Sequence, residues 1–125
     1  MNIKLDHNEL ITMTLERAPE ARDTRSFNVN HEPVYHAENQ RLFSVLFDLS
    51  IQAPTVTIDI VYQSIFTCDE DITQEFKESY FPKVNAPAIA YPFLRAFVGT
   101  ITLNAGIEPV ILDTMNFTQK GDIKE

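Results

Sequence analysis

The chain has 125 residues, with 18 Asp and Glu against 10 Lys and Arg, for a formal net charge of -8. That length favours one domain over 1–125 with a single modest core, and 44% hydrophobic with 22% charged residues is ordinary globular composition, which excludes a disordered chain. The acidic balance excludes nucleic acid or an anionic membrane surface as the main partner, because each needs clustered Lys and Arg.

The N-terminal stretch MNIKLDHNEL has no apolar signal-peptide core. The lone cysteine, Cys68, gives no disulfide within one chain. Both point to a cytoplasmic protein. The first predicted strand lies in LITMTLER, where Ile11, Met13 and Leu15 alternate with Thr12, Thr14 and Glu16. APEARDT reads as a loop. A weaker strand follows around Ser26–Tyr35, with Phe27 and Val29 alternating with Asn28 and Asn30.

The third strand puts Phe43, Val45, Phe47, Leu49 and Ile51 on one face. QAPT makes a turn, since Pro54 lacks a ladder donor and restricts Ala53. In the fourth strand Val56, Ile58, Ile60 and Tyr62 alternate with Thr57, Asp59, Val61 and Gln63. The two long alternating runs predict an antiparallel hairpin with one dry face.

After IFTCDED the period changes, and ITQEFKESYF predicts a short helix with Ile72, Phe76 and Tyr80 four apart, stopped by Pro82. Asn85 then stands as N-cap of a long helix that begins near Ala88–Tyr91 and runs to Ala105, with a bend at Pro92. Gly106 supplies the left-handed position after its end, Ile107 the accompanying apolar contact, and Pro109 the stop. Arg95 near the middle of this apolar stretch argues against a membrane span. The helix nonetheless has no wide polar face. Leu94, Val98, Ile101 and Ala105 form one stripe, and covering every face of the helix predicts packing against a second copy, with a homo-oligomer as the result. The final VILDTMNF is extended and apolar at Val110, Leu112, Met115 and Phe117, and 118–125 reads as a frayed tail.

Motifs for catalysis are lacking: there is no GxSxG, Walker loop, CxxC or HExxH. His31 and His36 read as solvated loop residues, and Cys68 as a small packing residue. Asp69, Asp71 and Glu75 miss a calcium loop's glycine and terminal bidentate acid, so they read as the acidic start of a helix. No enzyme, metal or cofactor is expected.

The order and spacing of APAIAYPFLRAFVGTITLNAG, Pro109 and Asn116-Phe117 resemble the bacterial protein-export chaperone SecB and its SecB-like relatives. The matching features are Pro87, Tyr91-Pro92-Phe93, Arg95 and, at the end of the fourth strand, Ile65-Phe66. The resemblance runs from about Leu42 to Phe117. It implies an α+β fold, a four-stranded antiparallel sheet with helix on one face, and assembly as a dimer of dimers. It also implies binding of unfolded, export-bound polypeptides without ATP and their delivery to the motor SecA. Asp59 matches an acidic residue that helps dock SecA in the family, whereas Thr57 stands where a leucine is usual and Gln63-Ser64 where two glycines are frequent. The given sequence ends eight residues after Phe117, short of a further helix common in the family.

The expected client-binding residues are Phe76, Tyr80, Phe81, Val110, Leu112, Met115 and Phe117, all outside the sheet and main helix, with Val110–Phe117 acting as a mobile lid or wall. Two rival readings accompany this one. The first is a SecB-like chaperone of an antitoxin in a toxin–antitoxin module. The second is a structural or ligand-binding oligomer without chaperone activity.

Overall fold

The structure, a computed structural model, describes residues 1–118. The tail expected to fray falls, from residue 119 onward, outside the described residues. Four strands come first: β1 (Ile3–Arg17), β2 (Ser26–His36), β3 (Asn39–Gln52) and β4 (Val56–Cys68). Then follow α1 (Gln74–Glu78), a π-helical turn over Phe81–Asn85, and α2 (Ala86–Asn104). The strands make one antiparallel sheet in the order β1-β4-β3-β2. This is the α+β architecture expected from the sequence.

Register places the apolar positions of β3 and β4 on the same side. Phe43 pairs with Phe66, Phe47 with Tyr62, Leu49 with Ile60 and Ile51 with Ile58, all buried. Phe43 and Phe66 stack at 5.1 Å. The opposite face carries exposed Glu9, Glu16, Glu32, Asp48 and Asp59 across all four strands. β1 and β2 lie at opposite edges, so the loop between them crosses the end of the sheet. Arg22 pins that loop: its guanidinium donates to Ala53 O at 3.2 Å, Val56 O at 2.9 Å and Thr57 Oγ1 at 2.6 Å.

β1 is longer than the alternation in LITMTLER indicates. Register shifts between Leu5 and His7, and between Leu10 and Thr12, change which residues face inward. A bulge adds a residue and resets the period-two phase, so the early part of the strand shows no continuous alternation. Leu10 and Ile11 are left exposed beside the second shift.

α2 covers the dry face. Ala86, Pro87, Ala90, Tyr91, Leu94, Val98 and Thr102 are its buried residues, at the spacings of three and four that make one helical stripe. Burying a Leu or Val side chain fully contributes about 1.5–3 kcal/mol. Leu94 and Val98 are therefore core of a single protomer, not faces for a second copy as the sequence suggested. Ile101 and Ala105 are half-buried. The outward face carries Ile89, Phe93, Ala96 and Leu103 instead, and Leu103 is 63% exposed. The span Phe81–Asn104 is long and apolar enough to cross a membrane by length and composition. Its buried stripe lies against the sheet, and the Arg95 guanidinium is engaged by Leu112 O at 2.9 Å.

Both ends of α2 follow from local chemistry. Asn85 makes no capping bond, because the π-helical turn containing Pro82 runs straight into the helix. The helix consequently starts at Ala86, earlier than its prolines suggest, and Pro87 sits in the first turn, where a missing N–H is tolerated. At the other end Gly106 has φ 79°, Gly106 N–H donates to Leu103 O at 3.3 Å and Ile107 N–H to Thr102 O at 3.4 Å. These are the two bonds of a Schellman stop, which requires the left-handed residue. Arg17 Nη2 donates to Ala105 O at 2.7 Å and places a cation at the negative end of the helix dipole.

Candidate client-binding surface

Past Gly106 the chain doubles back along α2 in extended form, held by side chains of the helix. Thr102 Oγ1 donates to Val98 O at 2.8 Å and accepts from Val110 N at 2.9 Å. Arg95 Nε donates to Leu112 O at 2.9 Å, and Tyr91 Oη donates to Asp113 O at 2.6 Å. Up to Asp113 the segment is thus a wall hydrogen-bonded to the helix. Leu112 and Phe117 are buried at 1% and 4% exposure, and Phe117 borders neither of the two clefts described below.

The remaining expected residues are scattered. Phe76 and Phe81 are half-buried and pack on each other at 6.0 Å, with Phe76 also 5.6 Å from Phe43. Tyr80 projects into solvent at 77% exposure. Val110 and Met115 are half-buried against the core. Only Val110 and Leu112 of this set border the cleft that the wall forms with the sheet.

That cleft holds about 280 Å³ between Ser26, Phe27, Ile51 and Ala53 on one side and Pro109–Asp113 on the other. A second cleft, of about 350 Å³, lies across Val110 and is bordered by Arg17, Arg25, Ala53, Pro54, Ile107 and Glu108. The Arg25–Glu108 ion pair at 3.2 Å joins residues of its rim. Phe27, Ile51, Ala53 and Ile111 are the lining residues that the sequence left unassigned. Ile111 alternates with Val110 and Leu112, and this period is the signal that turns it outward, to 72% exposure.

His31 and His36 are strand residues, not loop residues. His31 lies on the inner face of β2 opposite Phe47, its ring edge-on to Phe117 at 5.1 Å and 82°. Phe117 also meets Tyr91 at 5.6 Å. His31 Nδ1 is buried without a hydrogen-bond partner among the described residues, a condition that costs about 1–3 kcal/mol. Burial pushes the imidazole below its ordinary value of 6.5. Cys68 packs at the end of β4 as expected, and burial, then the Asp69 charge, raises its thiol. Asp59 is exposed on the acidic outer face and accepts from Ser50 Oγ at 2.7 Å.

A sheet half-covered by one helix, with clefts between its margin and an extended return segment, defines a class of small α+β proteins. The family model for the preprotein translocase subunit SecB matches residues 10–120. The chain belongs to the SecB family. It is 26% identical over 98 residues to the protein-export protein SecB of Anaplasma phagocytophilum, a match that takes in 69% of this chain and 61% of that protein. An uncharacterized protein of Methanocaldococcus jannaschii is 28% identical over 123 residues, covering 92% of this chain and 76% of its own length. Among solved structures, a Mycobacterium tuberculosis SecB-like chaperone in complex with a ChAD peptide from the HigA1 antitoxin shares the fold. Its TM-score is 0.68 at 18% identity, covering 91% of this chain and 88% of that one. The chain spans about 53–61% of the Anaplasma export proteins it matches.

The His31 environment yields a pH dependence. With the folded value lowered, the unfolded state binds the extra proton first, so stability rises with pH. The contribution is fully present above about 6.5 and is lost as pH falls below it. Thermal midpoints measured between about pH 7.5 and 5.5 should fall more steeply for the native chain than for His31→Phe. Parallel curves would show that Phe117 docks independently of His31 charge.

Proposed function

We propose that this protein is an ATP-independent holdase that binds unfolded polypeptides in the clefts at the margin of its sheet. The observation that carries this reading is the open cleft between Phe27, Ile51 and Ala53 and the Pro109–Ile111 wall, in a chain of the SecB family. Apolar contact at about 25 cal/mol per Å² tolerates many sequences, as a holdase requires. The acidic outer face keeps a loaded complex soluble. A purified chain should delay aggregation of a chemically unfolded client at stoichiometric ratio. Ile111→Asp, at an exposed position, should keep the fold by circular dichroism and lose most of that protection. Full protection by the variant would move the site to Phe76, Tyr80 and Phe81. No protection by the native chain would favour a structural or ligand-binding oligomer.

Assembly as a dimer of dimers belongs to the same proposal. It is supported by the apolar outward face of α2 at Ile89, Phe93 and Leu103, and by β1, which is paired on one side only. Phe93→Glu should lower the mass measured by light scattering and leave the circular dichroism spectrum intact. A native chain that scatters as a monomer would end this part of the proposal.

Delivery to SecA is the finer part of the reading. Asp59 stands with Asp48, Glu9 and Glu16 on the flat outer face, which suits docking of a basic surface. Asp59→Asn should weaken SecA binding several-fold at low salt, less at high salt, with client holding unaffected. An unchanged affinity would remove Asp59 from the docking site and strengthen the second reading, a chaperone dedicated to an antitoxin. That reading draws support from Thr57 beside Asp59 and from the fold shared with the SecB-like chaperone solved with an antitoxin peptide.

A further inference from the structure

The cleft across Val110 differs from its neighbour in the charge it carries. It holds about 350 Å³, and Arg17 and Arg25 line it together with Ala53, Pro54, Ile107 and Val110. Two arginines thus meet at one hollow in a protein of net charge -8. Glu108 is the acidic residue of the lining.

Neither guanidinium is fully used by the described residues. Arg25 gives one nitrogen, Nη2, to Glu108 Oε1 at 3.2 Å, and both side chains are mostly exposed. That distance is long for a charge-assisted bond, and an ion pair so exposed contributes little. Arg17 gives Nη2 to Ala105 O at 2.7 Å, which leaves Nε and Nη1 for another acceptor. Carbonyl groups at the end of α2 repel an anion when they are bare. Here Thr102 O accepts from Ile107 N–H, Leu103 O from Gly106 N–H and Ala105 O from Arg17. The Arg17 charge also offsets the negative end of the helix dipole.

We propose that this cleft binds a carboxylate carried on a short apolar body. Arg25 and Arg17 hold the carboxylate, and Ala53, Pro54, Ile107 and Val110 enclose the apolar part. Glu108 occupies Arg25 in the free chain and gives way when the ligand enters. A guanidinium fork matches a carboxylate with two parallel bonds, which the single Arg25–Glu108 contact does not achieve. The hollow has the volume of a small-ligand site. A free branched-chain acid and the C-terminus of a peptide ending in Leu share this chemistry. Holding unfolded chains by apolar contact requires no such charge, so the site goes beyond the holdase reading.

The test titrates the full chain, at constant ionic strength, with a labelled Gly-Ser peptide ending in Leu, as free acid and as amide, by fluorescence anisotropy. The acid should bind about ten-fold more tightly than the amide, a difference of about 1.4 kcal/mol. Isocaproate, the Leu terminus without its amine, is titrated by calorimetry to separate the sources. Binding of both acids supports a site for any such carboxylate, and binding of one alone assigns the site to that source. Arg25→Gln, at an exposed position, should keep the fold by circular dichroism and lose the preference for acids. Glu108→Gln releases Arg25 and should tighten acid binding several-fold. Equal binding of peptide acid and amide with no uptake of isocaproate would overturn the proposal. So would an unchanged acid preference in Arg25→Gln, or weaker acid binding by Glu108→Gln. If the acids fail to bind while the chain still delays client aggregation, the carboxylate site falls and the holdase reading stands. Acid binding without that protection reverses the two.

Discussion

One mismatch of width governs the molecule. A four-stranded sheet with strands about 4.8 Å apart is roughly 19 Å across, whereas a helix with side chains is about 10–12 Å wide. The dry face of this sheet runs from Leu15 and Met13 on β1 to Phe27, Val29 and Tyr35 on β2. A single helix, α2, covers its middle, where β3 and β4 bury every inward apolar side chain. The margins are left to short or extended segments: residues 72–85 and 107–118 pack along them. Such segments cannot bury an apolar surface as a helix does, because their own backbones need partners. Clefts at the margins follow from this arithmetic and need no separate design.

The return of the chain after α2 shows how those backbone requirements are met. Thr102, Arg95 and Tyr91 lie on the helix and supply one hydrogen bond each to Val110 N, Leu112 O and Asp113 O. Polar side chains within an apolar helix are thereby explained without a membrane or a ligand: they serve the neighbouring segment. The spacing 91, 95, 102 keeps all three on one side of the helix. Arg95, in particular, donates from a half-buried position. Beyond Asp113, Met115 and Phe117 pack on the core and position the chain.

Much of this was legible from residue order. β3, β4 and the Gly106 stop could be read because each had an unbroken local signal: strict alternation in two cases, and a glycine followed by proline in the third. The SecB resemblance rested on the same late segments, and the family match over residues 10–120 bears it out. Where the signal was broken, the reading failed. The start of β1 was hidden by two bulges. The orientation of α2 was misjudged because a helix apolar on nearly all sides has no polar face to mark solvent. Ile101 and Ala105 were aligned with Leu94 and Val98 by hydrophobicity, while the observed stripe continues through Thr102. A threonine whose hydroxyl is doubly bonded within the protein behaves as a core residue, and composition cannot reveal that pairing. Leu112 and Phe117 illustrate the reverse case. Lying outside the sheet and main helix, they read as client-binding residues, yet the sheet margin itself buries them.

The width mismatch also bears on how such a protein avoids aggregating with itself. A surface apolar enough to hold unfolded chains attracts its own copies unless it is covered or kept apart by charge. Two devices act here at different ranges. At long range, the net charge of -8 and the acidic outer face oppose close approach of free molecules. At short range, rings such as Phe117 and Phe76 occupy the margin of the dry face from within the chain. Intramolecular cover of this kind is held at high effective concentration.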